Sequence, residues 1–202
     1  MEYYHSLVTQ KSWEELQKLQ KSVDFILIGG WAVYLYAKAL KSKDIDVIVN
    51  YNQLPIFEKN YSLLKNSRLK KYEAVKEEVQ IDIYLPHYSH LGIPVEDLIQ
   101  NVTNVEGFKL LDPNFLAVLK IYTLAQRGRS PKGHKDLIDF LAMVSAKKCE
   151  LARVIEIIGK YNLQSELETL KAFLSEQDRV PELALNPHYY SKIKKEIVSK
   201  LQ

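Results

Sequence analysis

Two short stretches carry residue types that could do chemistry together. Ile28-Gly29-Gly30 ends an apolar run, and Asp44-Ile45-Asp46-Val47 follows after thirteen intervening residues. In a strand, residues two apart share a face. Asp44 and Asp46 are therefore expected to point one way, with Ile45 and Val47 turned to the core. Two adjacent carboxylates repel, and one pKa rises unless a cation lies between them. Hard oxygen ligands of this kind suit Mg²⁺ or Mn²⁺. Asp82, in Val79-Gln80-Ile81-Asp82-Ile83, is a third carboxylate between apolar neighbours, which puts it on the polar face of an adjacent strand. Three carboxylates on neighbouring strands can hold two metal ions for an in-line displacement at phosphorus. Gly29 and Gly30 end a strand and open a helix, a turn that exposes backbone N–H groups to a phosphate and lets it come close. Taken singly, each feature also has a plain reading: glycine for steric room, alternating acids on a solvated strand face.

The elements that must position these groups follow from hydrophobic spacing. Trp13–Gln20 reads as a helix capped by Ser12. Phe25–Ile28 reads as a buried strand, Trp31–Leu40 as a helix, and Ile45–Val49 as a strand. Leu54–Leu64 is expected to be a helix. Lys70–Val75 and Val79–Leu85 are expected to be strands joined by a turn at Lys76–Glu78, and Phe108–Leu111 another strand. Pro113 suits the first turn of a helix running to Gln126. A loop at Arg127–Gly133 leads to helices at His134–Lys147, Leu151–Tyr161, Gln164–Ser175 and Tyr189–Leu201. The expectation is an α+β fold, residues 1–111, followed by a helical half, residues 112–202.

Composition bounds the class. Hydrophobic residues make up 47% of the 202 positions and charged residues 26%, as in ordinary globular chains, which excludes disordered and fibrous classes. No apolar run is long enough to span a membrane. The first residues lack a basic-then-apolar leader pattern. A single cysteine, Cys149, excludes an internal disulfide and a cysteine zinc cage. A cytoplasmic protein is expected. With 28 basic against 25 acidic residues the formal charge is +3, which permits a nucleic-acid or nucleotide partner without requiring one.

The order Gly29-Gly30, Asp44-X-Asp46, Asp82 resembles the nucleotidyltransferase fold family, the DNA polymerase β-like superfamily. That family combines a mixed twisted sheet flanked by helices with a glycine pair, an Asp-hydrophobic-Asp pair and a later third carboxylate. The resemblance implies that Asp44, Asp46 and Asp82 bind metal, with two Mg²⁺ expected or Mn²⁺ in their place. It also implies that Asp82 activates an acceptor hydroxyl and that Gly29, Gly30, Ser42 and Lys43 meet the nucleotide. Ser42-Lys43 is similar to a small polar-X pair of the family; the arginine often found just before it is absent, and Lys41 is nearby. Further on, Asp112-Pro113-Asn-Phe-Leu-Ala-Val-Leu-Lys120, Arg127 and Lys135-Asp136-Leu137-Ile138-Asp139 resemble the AbiEii/AbiGii-type toxin branch, which includes the tRNA-modifying MenT toxins. This implies nucleotide contacts by Lys120, Arg127, Lys135, Asp136 and Asp139, with the helical half completing the active-site cleft. Read on their own chemistry, Lys120 must snorkel or meet an anion within an apolar stretch, and Asp136 also suits a helix start.

The expected activity is metal-dependent transfer of a nucleoside monophosphate from an NTP to an acceptor hydroxyl. A tRNA 3′ end is the favoured acceptor, and an antitoxin protein a possible partner. The alternatives are a protein or aminoglycoside acceptor, or a nucleotide-binding module without catalysis. Arg129 and Lys132 read as a solvated loop or as phosphate contacts. The basic tail around Tyr189 and Tyr190 reads as a solvated helix face or an RNA track. His87, His90 and His134 have no mutual metal-ligand spacing, and Cys149 reads as a small core residue.

Overall fold

The computed structural model describes residues 2–200, with side chains from residue 7 on. Its first helix, α1 (Glu2–Leu19), starts well before Trp13. Ser12 is thus no cap. It lies inside the helix, buried, and its hydroxyl accepts a 2.9 Å hydrogen bond from the Trp31 indole. A buried indole N–H needs such an acceptor. Trp13 packs against Trp31 at 5.0 Å between ring centroids and against Phe108 at 5.9 Å.

The apolar run ahead of the glycines forms β1 (Ile26–Ile28), with all three side chains buried. It passes directly into α2 (Gly29–Ala37), which Lys38 closes in the left-handed conformation at φ 52°. β2 (Ile45–Ile48) begins one residue after Asp44. A 3₁₀ turn at Tyr51–Gln53 leads to α3 (Leu54–Asn60). The helix expected to reach Leu64 stops there, and Ser62–Asn66 forms β3 instead. This edge strand buries none of its five side chains, so its sequence shows no period of two. The hairpin β4 (Lys71–Lys76) and β5 (Val79–Tyr84) follows. After a single helical turn, α4 (Val95–Leu98), comes a second hairpin, β6 (Val102–Val105) and β7 (Phe108–Leu111), whose first strand the sequence reading lacked.

The seven strands form one mixed sheet in the order β3-β4-β5-β2-β1-β7-β6. The β2–β5 and β1–β7 pairs are parallel and the rest antiparallel. Register makes an apolar row across its centre: Leu110 beside Leu27, Leu27 beside Val47, Val47 beside Ile83. All four side chains are sealed from solvent. One residue along, the next row has Ile28 beside Asp46 and Asp46 beside Asp82. Strand side chains alternate faces, so this polar row stands on the opposite side from Leu27 and Val47.

The chain divides into two compact units, Met1–Asp112 and Pro113–Gln202. The second holds α5 (Pro113–Arg127), α6 (Pro131–Ser145), α7 (Leu151–Lys160), α8 (Gln164–Glu176) and α9 (Pro187–Lys200). Of the expected last helix, Leu201 lies outside the described residues. α5 packs against α6, α7 and α8, and every residue from Phe115 to Ile121 is buried, as for a helix apolar on all sides. α6 starts three residues earlier than expected. Ser130 caps it, accepting from the Gly133 N–H at 3.1 Å, and Pro131 takes the first position. Among the described residues no helix is long and apolar enough to cross a membrane.

Leu27→Ala is expected to lower unfolding free energy by about 2–5 kcal/mol, measured by urea titration. Leu64→Ala, on the exposed edge strand, is expected to stay within about 0.5 kcal/mol of wild type. Equal losses from the two would contradict this placement of the core.

Candidate active site

Asp46 sits in mid-strand on β2, next to Asp82 on β5 in parallel register. Asp44 precedes β2, in the bend that leads into it. Asp44 and Asp46 are half-buried and Asp82 is buried. The sheet thus brings Asp46 and Asp82 side by side, with Asp44 two residues ahead on the same chain segment.

Gly29 fixes where the Asp46 carboxylate can go. It lies at φ +68°, where a side chain is strained, and a Cβ added there would stand 2.0 Å from Asp46 Oδ2. The carboxylate occupies the space a side chain would fill. The glycine and the aspartate are therefore one interlocked feature, which their separation in sequence does not reveal. Gly30 and the first turn of α2 follow at once, and no side chain caps that helix start. Ser42 is buried and Lys43 half-buried in the segment leading to β2.

Two residues missed by the sequence reading complete this face. Glu73 on β4 lies directly opposite Asp82, and Lys71 stands two residues before it on the same face. The Lys71 ammonium is 2.5 Å from Asp82 Oδ2 and 3.1 Å from Glu73 Oε1. The Gln80 amide donates to Asp82 Oδ1 at 2.8 Å. Burial alone would lower the Lys71 pKa, but its bonds to Asp82 and Glu73 outweigh that and raise it above the ordinary lysine value. The Asn66 amide, followed by Lys71, holds the Glu73 carboxyl below the usual range against the opposing effect of desolvation. The one available signal was the hairpin turn. A turn at Lys76–Glu78 would have set Val75 against Val79, whereas the chain pairs Lys76 with Val79.

Among the described residues no three His, Cys, Asp or Glu side chains form a ready-made metal cage. The donor chemistry at Asp44 and Asp46 nevertheless fits a divalent cation. Both are hard oxygen donors, and the missing Cβ of Gly29 leaves room for the Asp46 carboxylate.

The second unit holds its own charge cluster. Lys120 on α5 is buried, and its ammonium lies 3.0 Å from Asp136 Oδ1 and 2.7 Å from Asp139 Oδ2 on α6. Arg127 reaches Asp136 Oδ2 at 2.7 Å, and Lys135 reaches Asp139 Oδ2 at 3.0 Å. Among the described residues Asp139 Oδ1, which is buried, has no hydrogen-bond partner. Three cations thus share two buried carboxylates. Lys120 neutralises from within, whereas Arg127 and Lys135 remain 43% and 35% exposed and can reach an outside anion. Gly133 lets the loop approach α6: a Cβ there would stand 2.0 Å from the Gly128 carbonyl oxygen. Arg129 pairs with Glu176 and His134 with Glu182.

Lys120→Met is expected to cost about 3–5 kcal/mol, because it leaves two buried carboxylates without their shared cation. Arg127→Ala, removing a half-exposed partner, is expected to cost less. Urea unfolding of both variants checks the order, and the reverse order would contradict the network.

No family model matches the sequence, and no curated protein does. Solved structures do. The antibiotic-resistance factor ANT(2'')-Ia is similar at a TM-score of 0.53 and 14% identity, over 82% of this chain and 97% of that one. JHP933 from Helicobacter pylori is similar at 0.51 and 14% identity, over 96% and 93%. An antigenic nucleotidyltransferase-like protein from Paracoccidioides brasiliensis gives 0.41 and 18%, over 82% and 92%. The chain shares its α+β fold, a seven-stranded mixed sheet with helices, with ANT(2'')-Ia and JHP933, proteins of very different sequence.

Proposed function

We propose that the protein is a metal-dependent nucleotidyltransferase that moves a nucleoside monophosphate from an NTP to an acceptor hydroxyl. The observation that carries this reading is the interlock of Gly29 with Asp46 beside Asp82. A plain solvated strand face has no reason to set an aspartate into the Cβ space of a left-handed glycine.

Asp44 and Asp46 would hold Mg²⁺ or Mn²⁺, which supplies charge neutralisation of the triphosphate. The acceptor oxygen bonds to the α-phosphorus, the bond from that phosphorus to the α–β bridging oxygen breaks, and pyrophosphate leaves. The acceptor's proton passes to Asp82. Lys71 and Gln80 take one lone pair from each Asp82 oxygen, and an ionised carboxylate has about four acceptor positions, so capacity for that proton remains. The first turn of α2, with Gly29 and Gly30, would cradle phosphates through its N–H groups, helped by Ser42 and Lys43. Within the second unit Arg127 and Lys135, aligned by Asp136 and Asp139 and with Lys120 between those carboxylates, would present positive charge to an anionic group.

For the acceptor we favour a tRNA 3′ end, with the protein acting as the toxin of a toxin–antitoxin pair. The order of Lys120, Arg127, Lys135, Asp136 and Asp139, like that of AbiEii/AbiGii-type toxins, supports this. The test incubates the protein with Mg²⁺, total tRNA, an aminoglycoside, cell lysate and each NTP labelled at its α-phosphate. Label is expected in tRNA, with one NTP preferred. Asp46→Asn is expected to keep the fold and lose at least about 100-fold in rate. Label in protein or in the aminoglycoside would move the acceptor, and an active Asp46→Asn protein would remove the catalytic assignment.

A further inference from the structure

The buried lysine on the acid face changes what that face can bind. Lysine is almost never fully buried unless paired, and Lys71 is paired twice, with its side chain 9% exposed between two carboxylates. Its position is set by the sheet. Glu73 is the cross-strand partner of Asp82, and Lys71 is the diagonal neighbour on that face, within reach of a long side chain. An extended lysine at this position delivers its ammonium to Asp82 without leaving the β4 backbone path.

A two-metal site needs the third carboxylate to offer an oxygen to the second cation. Lone pairs remain on the Asp82 oxygens, but the Lys71 ammonium already places a positive charge 2.5 Å from Oδ2, which a second metal ion beside it would meet as like-charge repulsion. The ammonium has three N–H donors. Asp82 and Glu73 account for two, and the third can serve an incoming oxygen. We propose that the Lys71 ammonium takes the place of the second metal at Asp82, so that the site loads a single divalent cation, on Asp44 and Asp46. This rests on the nucleotidyl-transfer reading above. Asp82 is then a carboxylate positioned by Lys71 and Gln80 to receive a proton, and no longer a metal ligand.

The test reads metal directly. Full-length protein is equilibrated with Mn²⁺ and an NTP analogue carrying a methylene bridge between its α- and β-phosphorus atoms. Bound Mn²⁺ is counted by equilibrium dialysis and examined by electron paramagnetic resonance. Two ions in one site would lie about 3.5–4 Å apart and give a spin-coupled signal. Wild type is expected to give the signal of isolated Mn²⁺ and one bound ion in total per protein–analogue complex, any ion brought in by the analogue included. Asp82→Asn is expected to leave both readings unchanged. Lys71→Met, which keeps the aliphatic length and removes the charge, is expected to gain the coupled signal and a second site ion, while Lys71→Arg stays at one. A coupled signal in wild type, loss of an ion in Asp82→Asn, or a folded Lys71→Met protein that stays at one ion would each overturn the proposal. Those outcomes leave the transfer reading intact if tRNA labelling persists. Absence of bound Mn²⁺ in wild type together with absence of labelling would overturn both.

Discussion

Like charges on one face of one sheet are the constraint around which the first unit is built. Asp46, Asp82 and Glu73 occupy consecutive positions across β2, β5 and β4, and Asp44 stands just ahead of them. Cross-strand neighbours lie about 5 Å apart, and like charges placed so are destabilising. The fold holds them because the opposite face is a sealed apolar row, Leu110, Leu27, Val47 and Ile83. A slip of one residue in any of these strands would exchange the two faces. The apolar row therefore fixes the register that forces the acids together, and Lys71 supplies the charge that lets two of them stay.

The second unit meets a similar problem with a similar device. Asp136 and Asp139 are buried on α6, and the buried ammonium of Lys120 lies between them. In both units a lysine with almost no solvent exposure bridges two carboxylates, and more exposed groups complete the set. Removing either lysine leaves buried negative charge, whose cost exceeds the net worth of the pair itself. This also assigns distinct work to the residues of the second cluster. Lys120 holds position, whereas Arg127 and Lys135 keep the exposure needed to meet an anion.

Much of this was legible in the sequence, and the failures have physical causes. Gly29-Gly30, Asp44-X-Asp46 and Asp82 stood out because their types and order are unusual for a plain strand–helix–strand segment. Lys120 stood out as a charge inside an apolar helix, and Asp136 and Asp139 through the resemblance of their motif to the toxin branch. The β3 strand did not, because none of its side chains is buried and Leu63-Leu64 reads equally well as a helix end. Ser12 looked like a cap because its role, accepting from Trp31, is set by a residue nineteen positions away. Lys71 and Glu73 were invisible for the subtlest reason. The expected turn at Lys76–Glu78 is one residue off the register the hairpin adopts, and that single residue decides whether Tyr72 or Glu73 faces Asp82. Glu77, at φ 53°, carries the tight turn without the glycine or asparagine that would have marked it.

Nucleotidyl transfer is distinguished by which bond of the nucleotide breaks. The most direct measurement compares two labels in parallel reactions with the preferred NTP, Mg²⁺ and acceptor, one label at the α-phosphate and one at the γ-phosphate. Nucleotidyl transfer predicts that the α-label joins the acceptor, while the γ-label appears in pyrophosphate in equal amount. A γ-label on the acceptor, with nucleoside diphosphate released, would contradict the account, since the acid row would then be serving phosphoryl transfer from the far end of the nucleotide.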